Sequence, residues 1–289
     1  MRGYLESPDI EVETLNSFFC KTTAELGAIT EDQVVELARR TVTPRSKSLF
    51  VACSQLPTLN AEVRAISAVQ SVPYVLTTRN PAVKTIADFS AADRIAVPTV
   101  KISGQAMALQ MAAAKLWGFE KYDKLDEFTV TMGHPDAMQA VLSGQTVNSH
   151  FTVAPFNYYE LRVLGIHKVL NSYETDGKHT NGIQVTTKAF HDANPRICDA
   201  VRAAHEEANA FIKREPKAAA EIYLRLTNDR KNSADDLMAM VTDPDIEYTT
   251  APANLMKHVA FMHKVGRLKH LPASWKDMFF AEAHDLRGS

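Results

Sequence analysis

Apolar and polar positions alternate differently in the two parts of this chain. Up to about Thr187, short apolar runs of strand length are interleaved with helical stretches. Beyond Asn194, apolar positions recur only at helical spacing. The pattern predicts extended segments at Ile10–Phe19, Ser48–Cys53, Val63–Val69, Tyr74–Thr78, Arg94–Pro98, Phe128–Met132, His150–Val153, Lys168–Ser172 and Ile183–Thr187. Thr30 with Gln33 makes a capping box for a helix running to about Thr41. Val83–Phe89 is a helical turn, Ser103 precedes a helix reaching Trp117, and Asp136–Leu142 is a helix stopped by Gly144. The last third predicts four helices: one behind Asn194-Pro195 carrying Ile197, Val201, Ala204, Ala208 and Phe211, then Pro216–Leu226, Ser233–Met240, and one opened by Pro252. The tail from Pro272 to Phe280 is too aromatic to be left in solvent and is expected to pack on a lobe. The polar stretch Tyr173–Asn181 is expected to be a loop carrying the chain between lobes. Together the elements predict a two-lobed α/β architecture.

The stretch from Arg94 to Gly118 organises the functional reading. A strand, a small polar turn and an Ala-, Leu- and Met-rich helix follow one another. The turn therefore offers unpaired backbone N–H groups at the positive end of a helix dipole. Ser103 is placed to cap, and Gly104 leaves room for a ligand beside the backbone. Two readings stand for such a corner, an ordinary α/β junction or an anion-binding one. Two further strand ends, Gly133–Asp136 and Thr152–Asn157, have the same small polar character, and in open α/β sheets ligands bind outside the carboxyl ends of the strands. The candidate binding residues are thus Ser103, Gly104, Gln105, His134, Pro135, Asp136, Thr152, Pro155 and Phe156, with Asn181 at the end of the polar stretch. His134 either donates to a ligand or caps its helix. Such a cleft suits a small anion or a flat heteroaromatic molecule.

The balance of 32 basic and 34 acidic side chains in 289 residues gives no electrostatic reason to expect a nucleic-acid partner. No apolar run reaches the roughly 18 residues of a transmembrane helix. Three cysteines are too few for a disulfide framework. Cys53, at a strand end, is either a nucleophilic thiol or a small buried hydrophobe, and Pro57 truncates the helix that would lower its pKa. His258 and His263 do not share a helix face, His179 and His191 flank a predicted strand, and no His-Glu-x-x-His pattern occurs. No metal site and no cofactor are expected.

From Glu62 to Ser289 the chain resembles the substrate-binding proteins of ABC importers, in the nitrate/sulfonate/taurine and thiamine-precursor group. The cues are Val63–Ala68, Arg94–Pro98, Ser103-Gly104-Gln105 with Gln110–Ala113, Gly133–Ala137, His150–Thr152 with Pro155-Phe156, Glu215–Ala219, Phe261–Gly266 and Pro272–Asp277. The resemblance implies a periplasmic-binding-protein-like fold, with two α/β lobes, a ligand cleft between them, a membrane permease as partner and no catalysis. It puts Gly104, Gln105, Pro135, Asp136, Thr152 and Pro155 at the family's strand ends. Residues 1–60 resemble instead a fragment of the aspartate/glutamate racemase superfamily, near maleate isomerases and arylmalonate decarboxylases. The cues there are Ile29–Ala38 and Ser48–Thr58, with Cys53 at the place of one catalytic thiol. The implied alternatives are a cysteine-dependent isomerase or decarboxylase using Cys53, or a non-functional fusion. On this view residues 61–80 and 181–289 belong to lobe one and residues 81–180 to lobe two. Lobe one is either incomplete or rebuilt by the N-terminal segment. The family is periplasmic, but Met1–Asp9 lacks an apolar leader, so the chain as written is expected in the cytoplasm.

Overall fold

The computed structural model describes residues 50–52, 63–144, 147–230 and 232–289. In chain order the elements are β1 (Phe50–Ala52), β2 (Val63–Ser71), β3 (Val75–Thr78), β4 (Ile95–Val97), α1 (Gly104–Trp117), β5 (Thr129–Thr131), α2 (His134–Ser143), β6 (Ser149–Thr152), α3 (Phe156–Leu161), β7 (His167–Asn171), α4 (Ser172–Asp176) and β8 (Thr180–Thr187). They continue with α5 (Lys188–Ala193), α6 (Pro195–Arg214), α7 (Pro216–Thr227), α8 (Ala234–Val241), β9 (Glu247–Tyr248) and α9 (Leu255–Lys264). The strand predicted at Ile10–Phe19, the helix after Thr30, and Cys53 lie outside the described residues.

The strands form two sheets. One has the order β1-β8-β2-β9 and its pairings are antiparallel; the other has the order β5-β4-β6-β3-β7. Within the second, β4 runs parallel to β5 and β6, while β3 runs antiparallel to β6 and β7. The antiparallel pairings of this sheet all involve β3, which enters it from the first sheet between β6 and β7 and runs against both, so that β7 at the edge again runs parallel to β4, β5 and β6. The boundary set at residue 80 lies beyond β3, which already pairs in the second sheet.

Local chemistry explains most element ends. Ser103 caps α1, its hydroxyl accepting from the Ala106 N–H at 3.3 Å, and Gly118, at φ +92°, stops it. Residues 104–113 are all buried, which is why that helix is built of Ala, Met and Leu rather than patterned on one face. Ser233 and Asp236 make a capping box for α8. Two elements escaped the sequence pattern. Where a loop was expected over Tyr173–Asn181, Asn171 caps α4 by accepting from the Tyr173 N–H at 2.9 Å, and Gly177, at φ +79°, ends it. Thr187 caps α5 in the same way. Asn194 is the N-cap residue of α6, as its place before Pro195 suggests, but its side-chain amide makes no capping bond there and donates backward to the Phe190 carbonyl at 3.0 Å, at the end of α5.

The largest core packs Leu76, Ile95, Leu109 and Phe151 of the second sheet and α1 against Ile212, Ala219 and Leu237 of the C-terminal helices. A second core joins Ile183 and Val185 to Leu255, Val259, Trp275 and Phe279. The aromatic tail therefore packs as expected. It also shields the edge of β2: the Phe280 N–H donates to the Ala65 carbonyl at 2.9 Å, and the Ala68 N–H donates to Thr250 at 3.0 Å.

The chain passes between the sheets at Val72–Tyr74 and again through α4. The two passages are fastened together, since the Tyr74 N–H donates to Ser172 Oγ at 2.9 Å and the Ser172 N–H donates to the Tyr74 carbonyl at 2.9 Å.

Candidate functional site

Because β5, β4 and β6 lie side by side and parallel, their carboxyl ends deliver the first turns of α1, α2 and α3 to one edge of the sheet. The three corners read from the sequence meet there. Gln105 Nε2 lies 3.1 Å from His134 Nε2, and the His134 ring stacks on Phe156 with centroids 5.3 Å apart and planes 27° from parallel. Behind them, His134 Nδ1 is 2.8 Å from His150 Nε2, His150 Nδ1 is 2.6 Å from Glu160 Oε1, and Thr77 Oγ1 is 2.6 Å from Glu160 Oε2.

With the Gln105 amide nitrogen facing it, His134 Nε2 has to accept, so its proton sits on Nδ1. His150 Nε2 then accepts from His134, and the remaining His150 proton, on Nδ1, goes to the carboxylate. Thr77 supplies the second donor to Glu160, closer than the alternative acceptor, the His150 carbonyl at 3.2 Å. Each donor in the row thus points the same way, ending on a carboxylate with no exposed surface. Burial and the neighbouring His150 push the His134 pKa down to about 3, so its imidazole is neutral at ordinary pH. The row is a proton-ordered strut through the second sheet, filled by the protein's own side chains.

Beside it opens a cavity of about 560 Å³. Pro135, Met138 and Leu142 of α2 form one apolar wall, and Pro155, Phe156 and Tyr159 a second. Tyr223, Thr227, Asp229 and Asn232, at and beyond the end of α7, close it, with Gln139 and Arg162 as further polar groups. Arg162 is fixed by donating to Asn232 Oδ1 at 3.1 Å and to the Asp236 carbonyl, and its guanidinium lies 5.7 Å from the Tyr159 ring centroid. Burial raises the pKa of both Tyr159 and Tyr223, so both phenols stay protonated. The site can therefore offer aromatic faces, hydroxyl donors and one positioned cation.

Of the residues expected to bind, Pro135, Pro155 and Phe156 line this cavity, and His134 and Gln105 stand directly behind it. Ser103 is occupied as a cap. Thr152 is buried, and its hydroxyl has only a 3.3 Å contact to the Val153 carbonyl. Asp136 is exposed at the start of α2, and Asn181 lies in β8 of the other sheet. His134 does not cap α2, whose N-cap is Gly133; its ring nitrogens face Gln105 and His150. The space reserved for a ligand beside Gly104 is taken: a Cβ there would lie 2.4 Å from the Tyr74 hydroxyl. Gly104→Ala is accordingly expected to cost about 1–3 kcal/mol through overpacking. Chemical denaturation checks this, and Tyr74→Phe in the same background should recover part of the loss.

Sequence spacing gave no sign of His150, Glu160, Arg162, Tyr159 or Tyr223, which come together only through the sheet order and the return of α7. Nor did it join His179 to His258. Against the expectation of no metal-type grouping, the fold brings these two together with Asp176, all three buried.

No family model and no curated protein matches the chain. Solved structures do match it. The periplasmic aliphatic sulphonate binding protein SsuA of Escherichia coli is 13% identical, with 91% of this chain and 94% of that chain covered at a TM-score of 0.62. A protein of Bordetella bronchiseptica RB50 is 15% identical, with 94% and 92% covered at 0.66. The periplasmic nitrate-binding protein NrtA of Synechocystis PCC 6803 is 12% identical, with 90% and 74% covered at 0.61. The likeness gives the racemase-type resemblance of residues 1–60 no support. It also overturns the cytoplasmic expectation, since SsuA and NrtA, which share the fold, are periplasmic proteins. No helix among the described residues is long and apolar enough to cross a membrane. At these identities the comparison establishes architecture: the chain has the two-lobed α/β fold of the periplasmic binding proteins.

Proposed function

We propose that this chain is the solute-binding component of an ABC-type import system, holding a small organic molecule without transforming it. The observation that carries the reading is the 560 Å³ cavity, lined by Pro135, Pro155 and Phe156 at the strand ends of a binding-protein fold. Its volume falls in the range of small-molecule pockets. The faces of Phe156, Tyr159 and Tyr223 suit a flat heteroaromatic ring, and Arg162 suits one anionic substituent. Asp229 on the same lining disfavours a multiply charged anion, so a monoanionic sulfonate or carboxylate, or a pyrimidine-type ring, fits best. The partner in this reading is a membrane permease.

Calorimetric titration against alkanesulfonates, small carboxylates and pyrimidines tests the proposal, with X-ray scattering to follow compaction. One class is expected to saturate and to be recovered chemically unchanged. Arg162→Ala is expected to weaken an anionic solute at least about tenfold, the equivalent of roughly 1.4 kcal/mol. Absence of saturable binding across the panel, or binding untouched by both Arg162→Ala and Phe156→Ala, would overturn it.

A further inference from the structure

We infer that Asp176, His179 and His258 form a binding site for a single zinc-like divalent transition-metal ion at the passage between the two sheets. One ligand atom from each can be chosen so that all three lie within 4.8 Å of one another, and all three residues are buried. Two imidazoles and a carboxylate are a donor set that suits zinc, cobalt and nickel.

Two observations distinguish this cluster from an ordinary buried hydrogen-bonded group. Asp176 Oδ1 and His179 Nδ1 make no hydrogen bond of ordinary geometry, although both residues are almost wholly buried. Unpaired buried acceptors of this kind are uncommon in a native fold, and a cation would satisfy both at once. The other nitrogen of His179, Nε2, lies 2.8 Å from Ser172 Oγ, which fixes the ring and leaves Nδ1 as the nitrogen without an ordinary hydrogen bond. That is the outer hydrogen bond a metal-ligating histidine ordinarily has.

The third ligand joins by exchange. His258 Nε2 now lies 2.9 Å from Asp176 Oδ2, with one proton between them. A divalent ion that coordinates both atoms replaces that proton, which leaves to solvent. A tetrahedral site with bonds near 2.0–2.1 Å sets its ligand atoms about 3.3 Å apart. Loading therefore asks the cluster to contract by at most about 1.5 Å. Lys257, whose ammonium donates to the Asp176 carbonyl at 2.6 Å, is the cation opposing the metal, but its side chain is exposed and screened by solvent.

Titration of the tag-free full chain with Co²⁺ tests the inference. Visible d–d absorption of a low-symmetry four-coordinate ion should rise to saturation at one equivalent, and Zn²⁺ should displace it. His179→Gln and His258→Gln are each expected to weaken binding at least about 100-fold, while His263→Gln, on the exposed face of α9, should leave it unchanged. Zinc-edge X-ray absorption on the unaltered protein, which needs no variant to fold, should count two imidazole ligands. Failure of the wild-type chain to saturate, or fewer than two imidazoles at the zinc edge, would overturn the site. So would bands undiminished in both folded glutamine variants.

Discussion

His150→Ala is expected to lower the free energy of unfolding by about 3–5 kcal/mol, because it opens a cavity and takes a hydrogen-bond donor from a buried carboxylate. His150 and Glu160 have no exposed side-chain surface, and the carboxylate is held by only two side-chain donors, His150 and Thr77. Deleting the imidazole leaves one carboxylate oxygen unpaired in the interior, with a cavity beside it, and strands the Nδ1 proton of His134. Urea denaturation measures the loss. The companion experiment separates this cause from lost packing alone. If the unpaired carboxylate is the problem, the double variant His150→Leu/Glu160→Leu should be markedly more stable than His150→Ala, because both polar partners go together. A loss below about 1 kcal/mol in His150→Ala would mean that the row does not brace the sheet.

Acid should unfold this protein earlier than its carboxylates require. His205 and His179 are buried and His134 is half-buried. Desolvation, with the neighbouring His150 added for His134, holds the His134 and His205 pKa values down to about 3 and about 4 against an unperturbed 6.5, and burial lowers that of His179 in the same sense. The unfolded chain therefore takes up three protons near pH 6.5 that the folded protein refuses. Their stabilising contribution is complete above that pH and is lost as pH falls towards the folded values. Between about pH 6 and 5 each histidine contributes a slope of about 1.4 kcal/mol per pH unit. Urea midpoints measured from pH 7 to 5 should decline steeply, and His205→Leu should remove about a third of the slope. A flat profile over that interval would show that none of the three rings is proton-free in the native state.

The sequence carried the elements better than their arrangement. Ser103, Gly118, Gly144 and Ser233 act through contacts only a few residues away, so the helix limits they set were readable from neighbours alone. The three strand ends were also legible, because small polar residues after an apolar run mark them, and they do converge at Gln105, His134 and Phe156. What was misread there was occupancy. Gly104 makes room for Tyr74, a residue of the passage between sheets, and nothing near Gly104 in sequence announces it. Asn194 shows a subtler failure, since the amide that suits an N-cap equally suits the preceding helix's free carbonyls, and the backward bond is the one formed. Glu160 lies in the last turn of α3 and Arg162 just beyond it, yet one is held inside by Thr77 and His150 and the other lines the cavity, held by Asn232 and Asp236.

The mutual fastening of Tyr74 and Ser172 has a mechanical consequence. Both passages of chain go through one pivot, so the halves of the molecule are not two bodies on a slack leash. Sliding apart would break two hydrogen bonds together, whereas swinging about a line through that point breaks neither. The fastening takes sliding out of the motions open to the halves, so a molecule captured between them has less freedom to forfeit.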